Sequence, residues 1–266
     1  MTKIESLQNQ KIKDVVKLRD RRARDETGFF LIEGFRELKR AVDAGRKIEA
    51  LFYCPEFFLG TNEQTLIRDT QAILFECSAS VFSKISYRDR PDGLLAVAPQ
   101  VHLHLADLQL SKIPFLLVAE GIEKPGNLGT ILRSCDAAGV DAVIVCDPTT
   151  DIHNPNVVRS SIGTLFTLPI FTASKAEVFH FLQKNQIAIV AATPHAQLKF
   201  FEVDLKVPLA IVVGTEQYGL SEQWMKKADI SVKIPMFGMA DSLNVASATT
   251  LLLYEVIRQR RNCLLR

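Results

Sequence analysis

The chain is short of the features on which several large protein classes depend. Its five cysteines, Cys54, Cys77, Cys135, Cys146 and Cys263, are widely scattered, with no CxxC pair and no histidine pair nearby at ligand spacing. That excludes the usual structural zinc motifs and a disulfide framework, so the cysteines are expected as small buried apolar residues and no metal is expected. No run of about 18 apolar residues is present, so no membrane-spanning helix is expected. The first residues, MTKIESLQNQKIKD, also lack the apolar stretch of a secretory leader. A cytoplasmic protein with no membrane partner is the expectation. Net charge is small as well, +2 over 266 residues, so bulk charge alone does not name a polyanion as partner.

What is present is an ordinary globular composition, 47% hydrophobic and 23% charged, in a chain long enough for one large or two ordinary domains. The positive charge is unevenly placed. Lys11, Lys13, Lys17, Arg19, Arg21, Arg22 and Arg24 face only Asp14 and Asp20 over the same stretch, and Ile12, Val15 and Val16 give that stretch an apolar stripe at helical spacing. A basic helix over Lys11 to Arg24 is therefore predicted. A second basic cluster, Arg258, Arg260, Arg261 and Arg266, follows the last acid, Glu255. Each patch is compatible with polyanion binding, and equally with a solvated helix face.

Apolar strand-like runs alternate with helical ones along the whole chain. GFFLIEG, FRELKRAVDAG, IEALFYC, TNEQTLIRDTQ, AILFEC and GLLAVAP form a first, smaller α/β series. Pro99, an irregular VHLHLADLQLSKIP stretch and Pro114 separate it from a second, placing the boundary near residue 105, with domains at 1–105 and 106–266. The second series runs FLLVAEG, a helix from Leu128 to Ala138 stopped by Gly139, DAVIVC, a helix over Asn156 to Ser161, LPIFTA and a helix opened by Ser174 with Glu177 in capping-box spacing. IAIVAATP, PLAIVVG and SVKIPM follow, and a long helix from about Leu243 to Asn262 ends the series. This order predicts an α/β fold with a mainly parallel sheet covered on both faces.

Three blocks place glycines and polar residues where a strand gives way to a helix, the usual ligand edge of such sheets. They are NLGTILRSCDAAG (Asn127 to Gly139), VVGTEQYGLSE (Val212 to Glu222) and IPMFGMADSLNVASA (Ile234 to Ala248). Familiar nucleotide templates fail on them. Gly121 and Gly126 have P-loop spacing, but Asn127 and Leu128 stand where the phosphate-binding Lys and Ser or Thr belong, and GxGxxG is found nowhere. Asn127 suits a helix cap, and Arg133 lies one turn beyond Gly129 on a neighbouring part of the helix surface. A lone helix arginine is ordinarily a surface ion-pair partner, so Arg133 gains meaning only from its company.

Taken together, Glu120, Gly121, Pro125, Gly126, Asn127, Gly129 and Arg133, then Gly214, Glu216, Gly219 and Leu220, then Ser242, Leu243, Asn244, Val245, Ser247 and Ala248 resemble the three motifs of the SpoU (TrmH-like) branch of the SPOUT methyltransferases. VVRSSIGTLF with Arg159, and the N-terminal basic stretch leading to FLIEGFREL, resemble further family segments. The resemblance implies transfer of a methyl group from S-adenosylmethionine to a ribose 2′-hydroxyl in RNA, by a trefoil-knotted C-terminal α/β domain working as a homodimer. It implies Arg133, Asn127, Glu216, Ser242 and Asn244 at the ribose. It places Thr193, Gly214, Ile234, Met236 and Leu243 at the cofactor, and Lys11, Lys13, Arg19, Arg21, Arg22, Arg24, Arg36 and Arg159 on RNA phosphates. Family habit favours 23S-type ribosomal RNA over transfer RNA. The competing class is a non-catalytic RNA-binding or ribosome-assembly protein that has kept the fold. For Arg133 two roles stay open: a base in an unusual site, or a cation that stabilises the alkoxide, since a guanidinium is ordinarily always protonated.

Overall fold

The computed structural model describes residues 2–262, so the expectations placed on Cys263 and Arg266 lie outside the described residues. The first stretch runs β1 (Thr2–Ile4), α1 (Gln10–Lys17), α2 (Arg21–Thr27), β2 (Phe29–Glu33), α3 (Phe35–Asp43), β3 (Ala50–Tyr53), α4 (Glu63–Asp69), β4 (Ile73–Cys77), α5 (Ala79–Ile85) and β5 (Leu94–Pro99). The second runs β6 (Phe115–Glu120), α6 (Pro125–Ala138), β7 (Ala142–Cys146), α7 (Pro155–Ser160), β8 (Ile170–Ala173) and α8 (Lys175–Lys184). It continues through β9 (Ala188–Ala192), β10 (Leu198–Lys199), β11 (Leu209–Val213), α9 (Glu222–Lys227), β12 (Ile230–Lys233) and α10 (Val245–Asn262).

Two compact units result, and the chain passes between them more than once. One takes the residues up to Val101 together with Asp151–Thr167; the other takes His102–Thr150 and the residues from Leu168 onward. A single boundary near residue 105 therefore does not describe the division. Helix α7 and its flanks return to the first unit, where α7 packs on β2, a long-range choice that no local composition shift marks.

The first unit is built on a mixed sheet ordered β1-β4-β3-β5-β2. Strands β1, β4 and β3 are parallel, while β5 runs antiparallel to both β3 and β2. Ile12 and Val15 of α1 and Val81, Phe82 and Ile85 of α5 pack with Leu31, Phe52 and Phe75 of the sheet. The basic helix predicted over Lys11 to Arg24 is two helices. Leu18 ends α1 with its N–H bonded to Val15 O at 3.1 Å, and Asp20 is extended (φ −87°, ψ 136°) before α2 begins. The break keeps Leu18 in the core and lets Arg24 turn inward.

The second unit is a seven-stranded sheet ordered β10-β12-β9-β11-β6-β7-β8, parallel at every registered pair. Central strands FLLVAE, AVIVC and LAIVV are buried at every position, the continuous apolar pattern of strands covered on both faces. Leu116, Val118, Ile144 and Val212 pack with Val178 and Leu182 of α8 and Trp224 of α9. The alternate residues Leu117, Val143 and Ile211 are equally buried, and α10 packs on α6 and β11. Each such fully buried aliphatic side chain stabilises the unit by roughly 1.5–3 kcal/mol. Ser174 caps α8 through a complete capping box: its N–H donates to Glu177 Oε2 at 2.8 Å and its hydroxyl accepts from Glu177 N–H at 3.4 Å. Among the described residues, no helix is long and apolar enough to cross a membrane.

Burial also governs the cysteines. Cys54, Cys77, Cys135 and Cys146 are free and buried, and burial pushes the Cys77 and Cys146 thiols up to about 12 and Cys135 higher still. They are inert packing residues.

Candidate active site

Strand β6 ends at Glu120 and a short turn leads into α6. Lys124, the residue before Pro125, is extended (φ −90°, ψ 119°), as the proline ring requires of its predecessor. Pro125 itself opens the helix at a position that needs no N–H donor. The helix therefore starts three residues earlier than the predicted Leu128, and Asn127 lies inside its first turn. No side chain caps α6, so the capping role expected of Asn127 gives way to another.

Its amide is turned outward to Glu216. Asn127 Nδ2 donates to Glu216 Oε1, and Lys124 Nζ forms an ion pair with Glu216 Oε2. Asn244 Nδ2 donates to Glu216 Oε1 at 3.1 Å and to Asn127 Oδ1 at 3.2 Å. The orientation of the Asn244 amide is fixed from its other end, because Oδ1 accepts from Ala246 N–H at 3.0 Å and Ser247 N–H at 3.4 Å at the start of α10. One carboxylate thus gathers a residue from each of two remote blocks. It also holds the Lys124 ammonium above its usual range through their hydrogen bond. Sequence reasoning missed Lys124; the local signal was its place immediately before the proline that opens α6.

The loop carrying Glu216 is tightly closed. Thr215 N–H bonds Gly219 O at 3.0 Å and Gly219 N–H bonds Thr215 O at 3.1 Å, with Gly219 at φ +67°. A Cβ on Gly214 would collide with the Gly219 carbonyl group, so the fold requires glycine there. Behind the loop, Ser221 N–H donates to buried Glu120 Oε2 at 2.8 Å. Lys175 Nζ reaches Glu120 Oε1 at 2.7 Å, Ser221 Oγ at 2.9 Å and Asp147 Oδ2 at 3.5 Å. Burial pulls the Lys175 ammonium down, but Glu120 and Asp147 together outweigh it and the net shift is upward. Glu120 and Lys175 are struts that set the loop.

The space enclosed by Ile122, Glu123, Lys124, Asn127, Glu216 and Val245 amounts to about 10 Å³, room for a water at most. The cluster is a wall against which a ligand could rest. Arg133 and Ser242 do not join it. Both are exposed, and Arg133 makes no hydrogen bond or ion pair among the described residues. Asn127 and Arg133 are separated by about 120° around the helix axis. Among the described residues Glu216 orients Lys124 and the two asparagines and makes no hydrogen bond or ion pair with Arg133.

Three of the five residues expected at a cofactor share one edge of the sheet. Thr193 follows β9, Gly214 follows β11 and Ile234 follows β12, three adjacent strands. Thr193 N–H is tied to Val232 O at 2.9 Å. Ile234 and Met236 are half-buried and Leu243 is exposed, which leaves apolar surface beside strand-end backbone. That mixture suits a ligand with an aromatic ring and a polar edge. Nearby in sequence, Tyr218, Phe237 and Met239 are 77%, 94% and 100% exposed, unusual for large apolar side chains.

Of the residues expected on RNA, Lys11, Lys13, Arg21 and Arg22 are exposed on α1 and α2. Lys11 lies over the Phe75 ring at 4.9 Å, and Arg22 pairs with Glu26 at 2.7 Å. Arg19 Nη2 donates to Lys84 O and Ser86 O at 2.8 and 2.7 Å, closing the end of α5. Arg24 does not fit a phosphate contact at all. It is 1% exposed, with Nε on Asp151 Oδ2 at 2.7 Å and Nη1 on Leu18 O and Arg19 O at 2.9 and 2.7 Å. Arg36 and Arg159 line one cleft of the first unit. Among the described residues, no group of three or more His, Cys, Asp or Glu could hold a metal ion.

Residues 114–254 match the SpoU rRNA Methylase family, and residues 9–96 match the MRM3-like substrate binding domain. The 23S rRNA (uridine(2479)-2'-O)-methyltransferase of Streptomyces viridochromogenes is 31% identical over 91% of this chain and 87% of its own. A crystal structure of an RNA 2'-O ribose methyltransferase superposes with a TM-score of 0.88 at 42% identity, covering 98% of this chain and all (100%) of the other. The AdoMet-bound rRNA methyltransferase from Sinorhizobium meliloti superposes with a TM-score of 0.89 at 30% identity, covering 97% of each.

Proposed function

The chain belongs to the SpoU rRNA methylase family, and from that premise we propose that it transfers a methyl group from S-adenosylmethionine to a ribose 2′-hydroxyl of 23S-type ribosomal RNA. The observation that carries the reading is the meeting of Asn127, Glu216 and Asn244 at one point. Three motif blocks that share nothing in sequence are held in one hydrogen-bonded group. Retaining such an exposed polar cluster gives a packing scaffold no advantage, whereas a ribose with several hydroxyls needs fixed donors and acceptors.

S-adenosylmethionine, when bound, supplies a sulfonium-activated methyl group, so no metal is needed to make the carbon electrophilic. The strand-end backbone at Thr193 and Gly214, with Ile234, Met236 and Leu243, fits its adenine and polar edge. Asn127, Glu216, Ser242 and Asn244 position the ribose. Arg133, exposed and with no side-chain partner among the described residues, provides a cation for the oxygen that develops charge as its proton leaves. Stabilising that oxygen is the role a guanidinium suits, because the group is ordinarily always protonated.

The proposal includes a homodimer, the family's trefoil knot and a cytoplasmic location. For the dimer, the support is that Arg133 and the Glu216 cluster lie on different faces of one chain and that Tyr218, Phe237 and Met239 stand exposed. For the knot, it is the packing of α10 on α6 beside β11. The matched substrate-binding segment would hold RNA phosphates through Lys11, Lys13, Arg21 and Arg22, and neutralising them should flatten the salt dependence of RNA binding.

The decisive experiment incubates the protein with labelled S-adenosylmethionine and ribosomal RNA. Arg133→Ala is expected to abolish transfer while cofactor binding survives; equal loss of both would remove Arg133 from the chemistry. Mixing the Arg133→Ala and Asn244→Ala proteins should restore part of the activity where the site is shared between two copies. Absence of label on any RNA would leave the non-catalytic reading standing.

A further inference from the structure

The first unit carries an open cleft of about 570 Å³, within the range of about 300–1,000 Å³ typical of small-ligand sites. Phe35, Leu59 and Ile162 give it apolar surface, and Arg36, Arg88 and Arg159 give it three guanidinium groups, of which Arg88 is paired with Glu37 at 2.7 Å and Asp92 at 3.6 Å. Neither the Arg36 nor the Arg159 guanidinium has a hydrogen bond or ion pair among the described residues. Two unpaired cations on one cleft attract an anion with more than one oxygen.

The opposite demand is buried in the same lining. Glu63 is 4% exposed, and its Oε1 accepts from Leu59 N–H at 3.2 Å and Gly60 N–H at 2.8 Å, yet its Oε2 has no hydrogen-bond partner among the described residues. Asp92 Oδ2 accepts from Phe35 N–H at 2.8 Å and lies 3.6 Å from Arg88 Nη1, while its Oδ1 has no hydrogen-bond partner among the described residues. A buried acceptor left unpaired is costly, and here two such atoms belong to residues lining one cleft. The ligand they fit carries adjacent N–H donors on a flat ring and a phosphate on either side. Guanine presents N1–H and N2–H2 side by side. Adenine and cytosine set a ring-nitrogen acceptor beside their amino group, and uracil flanks its one N–H with carbonyl oxygens, which the two carboxylates would repel.

We propose that this cleft seats one unpaired guanosine of the RNA substrate, with its base on Phe35 and Leu59, its donor edge at Glu63 and Asp92, and its flanking phosphates on Arg36 and Arg159. The inference rests on the chain acting on RNA, and it assigns the first unit a base-reading role beyond phosphate contact.

Binding of fluorescent decauridine carrying a central G, A, C or U, measured by anisotropy on the full chain without methyl donor, tests it. The G-containing strand should bind about tenfold or more tightly than the other three, the discrimination a paired contact to one base edge provides. Glu63→Gln keeps the Oε1 acceptor for Leu59 and Gly60 but offers an NH2 in place of Oε2, so it should erase that preference and leave decauridine binding intact. Should that variant melt early, Asp92→Asn makes the same test from the other wall. Arg36→Ala with Arg159→Ala should weaken all four strands alike and lower the salt slope. Equal affinity for the four bases, or a guanine preference that survives both carboxamide substitutions, overturns the proposal. So does competition by free 5′-GMP as strong as that of the G-containing strand, which would make the cleft a nucleotide site unrelated to RNA. Methyl transfer is scored separately; its absence alongside an intact guanine preference would strike the proposed activity and not this cleft.

Discussion

Arg24 and Glu216 each tie together segments more than eighty residues apart, the first sealed in the interior and the second at the surface. The Arg24 guanidinium is sealed at 1% exposure, bonded to Asp151 and to two backbone carbonyls. Glu216 lies at the surface with Lys124, Asn127 and Asn244 around it. At Arg24 the buried charge is matched by a carboxylate and two carbonyls and its work is structural, because a buried charge stripped of its counterion is strongly destabilising. Where charge is left at the rim of a strand-end site, water could replace every partner, so stability gains little and the arrangement is free to serve a ligand.

Substitutions at the two clusters should separate these roles. The largest effect belongs to Arg24→Ala, which strands the Asp151 carboxylate and two carbonyls and should cost about 3–5 kcal/mol in denaturant unfolding. A loss below 1 kcal/mol would erase the contrast. Glu216→Ala comes next and in a different observable: methyl transfer falls by about a hundredfold or more, equivalent to roughly 2.7 kcal/mol of barrier, while the unfolding midpoint barely moves. Loss of the α8 capping box through Ser174→Ala should cost about 1 kcal/mol with transfer unaffected, giving a control for stability loss in the second unit.

The smallest effects are in pH. Burial holds the Glu37 carboxyl above its usual range in the first unit, whereas hydrogen bonding from Arg258 holds that of Glu255 below it in the second. Folded Glu37 binds its proton more readily than unfolded Glu37, so its contribution is most favourable below the ordinary carboxylate range and declines as pH rises through the raised value. Glu255 does the reverse: its contribution is present above the ordinary range and is lost as pH falls through the lowered value. Thermal melts across the acidic range should lose opposite slopes in Glu37→Gln and Glu255→Gln; slopes of one sign would show that these two carboxyls do not govern acid stability.

Local chemistry was readable wherever it was decided locally. The Ser174–Glu177 capping box, the fully apolar central strands and the glycine at 214 all follow from neighbours within a few residues. What escaped was decided by distant partners. Arg24 reads as one more cation in a basic run, and only Asp151, returning from the far side of the second series, makes it a core residue. Lys124 reads as a turn residue until Glu216 arrives from another strand end. The helix break at Leu18 is equally silent, since its apolar and basic residues continue the helical spacing. For the candidate site, the motifs named Asn127, Glu216 and Asn244, which do meet, and Arg133 and Ser242, which do not meet them in one chain.

The return of Asp151–Thr167 to the first unit bears on how such proteins can be recombined. A gene segment ending at Val101 would encode every strand of the mixed sheet but neither α7, which covers β2, nor the carboxylate that neutralises Arg24. Swapping the substrate-binding segment between family members is therefore not a cut at one linker. The donor's 151–167 stretch has to travel with it, or the graft inherits an interior guanidinium without its counterion.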